Sequence, residues 1–317
     1  MHWLRLIRWQ NLLIVFLTQL LAWMFVIQPV QEYDPAEFTL LLPNFIIIAL
    51  STICIAGAGY IINDYFDIKI DIINRPEKVV LEKRIPLKQA ILMHSFMNAA
   101  GLTLALIVAR RAGHISYITF QGICTVMLWF YSTHFKRQFM TGNIVVALLT
   151  AFTIIVLMVY EPALHSYISL PPFIETFKGI LPNPVYVLGF YIYFAFLLTW
   201  MREIVKDMED FKGDAEQGCV TMPIKWGLKR SEQFTQLLGI LAVLPLLNAG
   251  IKLWMSGWKL FGVYTLAALV LPLTFWLLTL RRGQATQARY NRYSRWLKGI
   301  MVMGILSLVI YYFEAHA

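Results

Sequence analysis

The sequence predicts an all-α protein, a polytopic membrane bundle of nine transmembrane helices with cytoplasmic cap loops. The chain is 59% hydrophobic and only 14% charged, with a mean hydropathy of +0.63. Soluble domains carry about 25% charged residues. The apolar runs reach the length of about 20 residues that a helix needs to cross a bilayer. The predicted spans are residues 10–29, 38–62, 88–109, 113–133, 142–160, 183–204, 233–254, 258–280 and 295–313.

The positive charges predict the orientation of these spans. With a cytoplasmic N-terminus, 22 of the 27 lysines and arginines fall in cytoplasmic connections and five on the other side. This asymmetry predicts a cytoplasmic N-terminus and an external C-terminus by the positive-inside rule. The net charge of +9 is therefore interpreted as a topology signal, and it does not indicate nucleic-acid binding.

The first acidic motif follows the second apolar run, in the segment Asn63-Asp64-Tyr65-Phe66-Asp67-Ile68-Lys69-Ile70-Asp71. If the helix continues into it, Asp64, Asp67 and Asp71 lie within an arc of about 60°. Three carboxylates on one face repel each other unless a cation lies between them. Mg2+ takes oxygen ligands and bridges a few carboxylates to substrate phosphates.

The same spacing recurs at Asp207, Asp210 and Asp214, also at the end of an apolar helix. A single acidic triad is equally typical of a solvated helix end. The repeat favours a metal site, because a third of the 18 acidic residues occur in two copies of one pattern. Both copies fall on the predicted cytoplasmic side. We therefore predict one site in which two Mg2+ ions hold a diphosphate, with all six aspartates as metal-binding and catalytic candidates.

Basic residues near both motifs are candidates for binding the remaining charge of a diphosphate. Arg75 follows the first motif, Lys136 and Arg137 lie in the next cytoplasmic connection, and Arg202 and Lys206 directly precede the second motif on its helix. The positive-inside bias alone accounts for many cations on this side. A diphosphate whose charge is compensated is a better leaving group. If the organic part is polyisoprenyl, its departure leaves an allylic cation that aromatic faces such as Tyr60 can stabilise.

These residues resemble the UbiA-type intramembrane prenyltransferase superfamily over nearly the whole chain. The specific signature is Asn63-Asp64-x-x-Asp67-x-x-x-Asp71 followed by Asn74-Arg75-Pro76, and Asp207-x-x-Asp210-x-x-x-Asp214 matches the second motif. Arg8 and Asn11 resemble the Arg-Pro-x-Asn start of many members. The family's Tyr-x-x-x-Lys element is matched approximately, because Tyr131 precedes Lys136 by five residues.

The resemblance implies a single domain over residues 1–317, with nine helices around a central cavity and the active site on the cytoplasmic side. It implies a Mg2+-dependent transfer of a prenyl group from its diphosphate, with Arg8, Asn11, Asn63, Arg75, Lys136, Arg137, Arg202 and Lys206 binding substrate. The segment from Arg202 to Asp214 is most similar to the geranylgeranylglycerol-phosphate geranylgeranyltransferases. Those enzymes add a second prenyl chain to a prenylated glycerol phosphate in ether-lipid synthesis.

Two other functions stay open at this point. The first keeps the donor chemistry but uses an aromatic quinone precursor, a naphthoate or benzoate, as acceptor. The second is an ion-coupled transporter, although carboxylates on a transport path are expected near the middle of the membrane. The Asp-Gly…Ala-Arg…Gly pattern of CDP-alcohol phosphotransferases is absent. The expected partners are the two substrates and membrane lipids, with no nucleic acid and no obligatory protein partner.

Overall fold

A computed structural model describes residues 2–33, 38–74, 76–77, 79–176, 179–280 and 286–316 of the chain. Nearly all of these residues are helical. The α-helices are α1 (His2–Leu6), α2 (Trp9–Ala22), α3 (Gln28–Tyr33), α4 (Leu42–Asn74), α5 (Leu87–Arg111), α6 (Ile118–Thr133), α7 (Thr141–Val159), α8 (Pro184–Glu209), α9 (Phe211–Glu216), α10 (Met222–Trp226), α11 (Leu228–Met255), α12 (Lys259–Tyr264), α13 (Leu271–Leu280) and α14 (Gln287–His316). Two π-helical turns, Trp23–Ile27 and Thr265–Val270, join α2 to α3 and α12 to α13.

Eight helical segments of the described chain are long and apolar enough to cross a membrane. They are Trp9–Gln31, Leu42–Ile73, Leu87–Arg111, Thr141–Val159, Pro184–Glu209, Leu228–Met255, Lys259–Leu280 and Gln287–Ala315. The ninth predicted span, residues 113–133, contains α6, which has 16 residues. The predicted all-α membrane class is confirmed, and the predicted number of helices is close to the eight observed.

One short β-hairpin interrupts the helical pattern between α7 and α8. Strand β1 (Phe173–Thr176) pairs antiparallel with β2 (Gly179–Pro182), so that Phe173 faces Pro182. The backbone N–H of Asn183 donates to the carbonyl of Pro172 at 2.8 Å, and its side-chain oxygen accepts the N–H of Val185 at 2.9 Å. Residues 161–182 contain four prolines, a composition typical of an irregular loop. The hairpin is too short to change the fold class.

The chain divides into two compact units. The first comprises Met1–Lys136 and Phe152–Leu188, and the second comprises Arg137–Ala151 and Gly189–Ala317. The first acidic motif belongs to the first unit and the second motif to the second unit. That all 317 residues form a single domain stays a prediction.

In the first unit, α4 runs without a break through the first acidic motif. The condition on which the three aspartates share one helical face, that the apolar helix continues into the motif, is therefore met. Helix α5 packs closely against α4 at Gly101, where a Cβ atom would lie 2.7 Å from Ile55 Cγ1. The hydroxyl of Ser51 donates to the Gly101 carbonyl at 2.7 Å. Small residues permit such close helix contacts in membranes. This contact therefore holds α4, the helix that carries the motif, against α5.

The connections that follow the two motifs are structured where the chain is described. After α4, Val80, Leu81 and Ile85 are buried in a cluster with Leu6 and Ile61. After α8, the short helices α9 and α10 fill most of the connection to α11. Buried apolar side chains oppose the conformational freedom of a linker. The interpretation of these segments as structured caps agrees with this packing.

In the second unit, the core joins α8 to the last helices of the chain. Met201 and Val205 of α8 are fully buried in one apolar cluster that also contains Trp276 of α13 and Leu297 and Ile300 of α14. A polar contact links the same helices, because Asn291 Nδ2 donates to Glu209 Oε1 at 2.7 Å. The end of α8, with its acidic motif, therefore rests against α14.

Candidate active site

The first motif centres on Asp67, which is only 4% exposed. Its carboxylate accepts a hydrogen bond from Asn63 Nδ2 at 2.7 Å and forms a salt bridge with Lys136. Asn63 lies one turn earlier on α4 and is also buried. Its Oδ1 atom is buried and has no hydrogen-bond partner among the described residues. A buried acceptor without a partner is costly, so this oxygen is available to a cation or donor that binds here.

Another carboxylate of the first motif, that of Asp64, pairs with Arg8. Arg8 Nη2 lies 2.6 Å from Asp64 Oδ1, and the guanidinium carbon lies 5.0 Å from the centre of the Tyr60 ring. The Asp64 carboxylate raises the pKa of the Arg8 guanidinium, against the opposing effect of its burial. Asn11 follows in the first turn of α2 and donates its backbone N–H to the Arg8 carbonyl at 2.7 Å.

The backbone of Arg8 is in the left-handed region, with φ of 51° and ψ of 51°. This conformation is uncommon for a residue with a β-carbon, and it separates α1 from α2. Such backbone is found more often at binding sites, where the surrounding structure enforces it. The turn directs the arginine side chain towards α4, so the Arg8 conformation and the Arg8–Asp64 contact support one another.

Lys136 completes the cluster of the first unit. Burial by itself lowers the pKa of its ammonium group, but Asp67 and Tyr131 more than offset this effect, and the pKa is raised. Tyr131 thus acts electrostatically on Lys136 although it precedes the lysine by five residues. Asp71 is within electrostatic range of Asp67, Lys136, Asp64 and Arg8. The three carboxylates of the motif and these two cations therefore form one interacting group.

The second motif is divided between two helices. Asp207 lies in the last turn of α8, Asp210 stands at the break before α9, and Asp214 is buried in α9. Asp207 Oδ2 accepts a hydrogen bond from Asn143 Nδ2, in the first turn of α7, at 2.8 Å. The charge of Asp214 acts on Asp207. The spacing thus brings Asp207 and Asp214 within electrostatic range of each other without a continuous helix.

The two cations beside the second motif share one carboxylate. Glu203 is only 7% exposed, and its Oε1 atom lies 3.2 Å from Arg202 Nη1 and 3.0 Å from Lys206 Nζ. Glu203 Oε2 lies 2.9 Å from Lys206 Nζ. These contacts hold both basic side chains at the end of α8.

The remaining predicted basic residues of the site are Arg75 and Arg137. Arg75 lies outside the described residues. Arg137 is exposed in a 3₁₀ turn, Phe135–Arg137, and its carbonyl accepts the backbone N–H of Val220 at 2.9 Å.

The structure also adds two residues that sequence reasoning missed, Asn143 and Glu203. Asn143 could have been found from its position, because a helix-start asparagine follows the Lys136-Arg137 pair. Glu203 carried no signal other than its place between two cations.

The residues of the first motif fit Mg2+ by the chemistry of their donor atoms. Within the described residues, no three His, Cys, Asp or Glu side chains are grouped closely enough to hold a metal ion by themselves. Mg2+ keeps several water molecules and is commonly bound through one or two carboxylates and substrate phosphates. Asp64, Asp67 and the unpartnered oxygen of Asn63 supply such oxygens. The site therefore fits a metal that arrives with, or is completed by, a phosphorylated substrate.

Replacement of Arg8 by glutamine is expected to raise the KM for an anionic substrate by about 10- to 100-fold. The substitution removes one charge-assisted hydrogen bond, worth about 1.5–3 kcal/mol. Steady-state kinetics of the purified variant measure the effect. Arg5→Gln is the matched control, because Arg5 lies on α1 and makes an exposed contact with the Glu77 carbonyl. Equal KM values for the two variants would contradict a substrate-binding role for Arg8.

The helices and the two acidic clusters define an integral membrane protein whose polar groups suit a multiply charged anion and its metal. The sequence matches the UbiA prenyltransferase family over residues 21–300. The chain belongs to this family, and it is a prenyltransferase.

Two relatives carry the same name. The digeranylgeranylglyceryl phosphate synthase of Methanosphaera stadtmanae is 30% identical over 208 residues, which cover 63% of this chain and 66% of that protein. The digeranylgeranylglyceryl phosphate synthase of Methanothermobacter thermautotrophicus is 29% identical over 284 residues, covering 86% of this chain and 84% of that protein.

Solved structures share the fold. A structure from work on digeranylgeranylglyceryl phosphate synthase in membranes has a TM-score of 0.62 at 22% identity, over 99% of this chain and 97% of that one. A UbiA homologue from Archaeoglobus fulgidus bound to DMAPP and Mg2+ has a TM-score of 0.56 at 13% identity, over 96% of this chain and 99% of that one. The predicted family and fold are confirmed.

Proposed function

We propose that this prenyltransferase moves a geranylgeranyl group from its diphosphate to the free hydroxyl of geranylgeranylglyceryl phosphate, with Mg2+ as cofactor. The observation that carries the proposal is the pairing of the first-motif carboxylates with Arg8 and Lys136. Carboxylates that can bind a metal, held beside cations that can bind phosphate oxygens, suit a metal-bound diphosphate. The names of the relatives support the glyceryl phosphate acceptor.

The proposed roles follow the contacts in each unit. Asp64, Asp67 and Asp71 would hold one Mg2+ ion in the first unit, and Asp207, Asp210 and Asp214 would hold another in the second unit. Mg2+ supplies compensation for the charge that develops on the leaving diphosphate. Arg8, Asn11, Asn63, Arg75, Lys136 and Arg137 bind the donor's diphosphate. Arg202 and Lys206 bind substrate phosphate on the other unit.

The chemistry breaks one bond and forms another. The C1–O bond between the prenyl chain and the diphosphate breaks, and the diphosphate leaves with the bonding electrons. The acceptor's hydroxyl oxygen bonds to the prenyl carbon, and its proton is released. Arg8 and Lys136 assist by exchanging their contacts with Asp64 and Asp67 for contacts with diphosphate oxygens. Apolar helices around the prenyl chain exclude the water that would otherwise capture the allylic cation.

The proposed topology follows from the distribution of positive charge. The N-terminus lies in the cytoplasm, the C-terminus lies outside, and the acidic motifs face the cytoplasm. On the cytoplasmic side, the site has access to Mg2+ and to the water-soluble diphosphate group.

The test offers labelled geranylgeranyl diphosphate and Mg2+ to purified protein in detergent. Parallel reactions contain geranylgeranylglyceryl phosphate, a dihydroxynaphthoate or a hydroxybenzoate, each with an EDTA control. We expect EDTA-sensitive product with the glyceryl phosphate alone. Product with an aromatic acceptor alone would contradict the proposed glyceryl phosphate acceptor and would leave the proposed donor chemistry intact. Full activity in EDTA would overturn the Mg2+ requirement.

A further inference from the structure

Lys298 lies well inside a membrane-spanning helix. The charge count of the sequence analysis had assigned it to a cytoplasmic connection, although it lies inside the predicted span of residues 295–313. The structure begins α14 at Gln287, so Lys298 is 11 residues further on, about 16 Å along the helix axis. Its side chain is half-buried, while those of Arg292 and Arg295 are exposed. An ionisable side chain within a membrane span commonly marks a functional site.

Lys298 lies within electrostatic range of the two cations of α8. The positive charges of Arg202 and Lys206 act on Lys298, and the helices share one apolar core. Glu203 contacts both α8 cations, and Lys206 also acts on Asp207, which is held by Asn143. Arg202 Nε is buried and makes no hydrogen bond to the described residues. Three mutually repelling cations therefore lie near this end of α8, two on α8 and one on α14. The N–H of Arg202 Nε is a hydrogen-bond donor for a ligand.

We propose that Arg202, Lys206 and Lys298 form the site for the phosphate monoester of the acceptor, with Lys298 as a specificity-determining residue. The proposal rests on the proposed function above. A phosphate monoester carries a charge of about −1.5 to −2 near pH 7 and presents three strong acceptor oxygens. Three convergent cations match that charge, and the buried Nε of Arg202 gains an acceptor. Lys298 directly precedes the apolar part of α14, and this position suits a lipid whose phosphate lies at the membrane surface and whose prenyl chain enters the apolar core.

The same site favours a phosphorylated lipid over an aromatic acceptor. A benzoate or naphthoate presents a single carboxylate with one negative charge and two oxygens, which is less charge and one acceptor oxygen fewer than a phosphate monoester offers to these cations. The donor diphosphate has cations of its own in the first unit, Arg8 and Lys136, which pair with the first-motif aspartates. The cations of α8 and α14 are therefore assigned to the second phosphorylated substrate.

The experiment compares Lys298→Met with Arg295→Met, which removes an exposed cation one turn earlier on the same helix. Steady-state kinetics use full-length protein in detergent with geranylgeranyl diphosphate and either geranylgeranylglyceryl phosphate or geranylgeranylglycerol, which lacks the phosphate. For Lys298→Met we expect the KM for the phosphorylated acceptor to rise by about 10- to 100-fold. The donor KM and the rate with geranylgeranylglycerol should stay within about twofold of the wild type. Arg295→Met should match the wild type in every assay.

Lys298→Arg keeps the positive charge and is expected to recover most of the acceptor affinity, which provides a second measurement if Lys298→Met does not fold. A rise in the donor KM, an equal loss with both acceptors, or no change in either would overturn the proposal. Failure of the wild type to use any glyceryl phosphate acceptor would instead overturn the proposed function. The two failures are therefore distinguishable.

Discussion

Replacement of Asp67 by asparagine is expected to lower kcat/KM for prenyl transfer by at least about 1,000-fold. Asparagine keeps the size of the side chain and can still accept a hydrogen bond from Asn63 Nδ2. It removes the negative charge that would bind Mg2+ and that now pairs with Lys136. Charge stabilisation by a bound metal is worth several kcal/mol at a developing anion, and about 4 kcal/mol corresponds to three orders of magnitude in rate. Initial rates at saturating Mg2+ measure the loss.

The loss must be separated from an effect on folding, because Asp67→Asn leaves Lys136 beside an uncharged partner. Removing one member of a buried ion pair destabilises the protein. Thermal unfolding and size exclusion report on that effect. The double variant Asp67→Asn with Lys136→Met removes the unmatched charge and should stay inactive. Recovery of activity in the double variant would show that Asp67 serves only to neutralise the charge of Lys136. Glu77→Gln, an exposed acid-to-amide change in the following connection, is the matched control.

The sequence was most informative where a single physical rule governs many residues. Apolar runs of about 20 residues predicted the spans, because a bilayer demands that length. The aspartate spacing in the first motif predicted a helical face, and α4 does continue through Asp71. Both predictions depend on local periodicity, which a sequence displays directly.

Contacts between distant segments could not be predicted in the same way. Nothing in the sequence joins Arg8 to Asp64, which lie 56 residues apart, or Asn143 to Asp207, which lie 64 residues apart. The left-handed backbone at Arg8 also had no signal, because glycine is the usual marker of that conformation. These features arise from the packing of helices whose order in space the sequence pattern does not contain.

The count of positive charges accounts for the missed role of Lys298. It assigned this lysine to a cytoplasmic connection together with Arg289, Arg292 and Arg295, although residue 298 lies inside the predicted span of residues 295–313. The helix nevertheless starts at Gln287. Long basic side chains can cover apolar surface with their stems while their charges reach water. Hydropathy therefore placed the start of the helix about two turns too late, and the charge count assigned a lysine of this helix to a loop.

Replacement of Asp207 by asparagine is expected to lower kcat/KM by about 1,000-fold, the same order as Asp67→Asn. Asparagine retains an oxygen that can accept from Asn143 Nδ2, so the substitution removes charge with little change in shape. The measurement is the initial rate of prenyl transfer at saturating Mg2+, with thermal unfolding to confirm the fold. Glu216→Gln is the control, because Glu216 is an exposed acid on α9. An Asp207→Asn variant as active as this control would remove the second motif from the mechanism.

The double variant Asp67→Asn with Asp207→Asn tests whether both motifs serve one diphosphate. Residues that act as a unit show strongly non-additive losses, because removing the first member already forfeits what the second contributes. We therefore expect the double variant to lose about 1,000-fold, close to either single variant. Two motifs that act independently would multiply their effects, to a loss of about a millionfold, since independent contributions add as free energies. A multiplied loss would contradict the shared diphosphate and would assign the two motifs to separate steps or separate ligands.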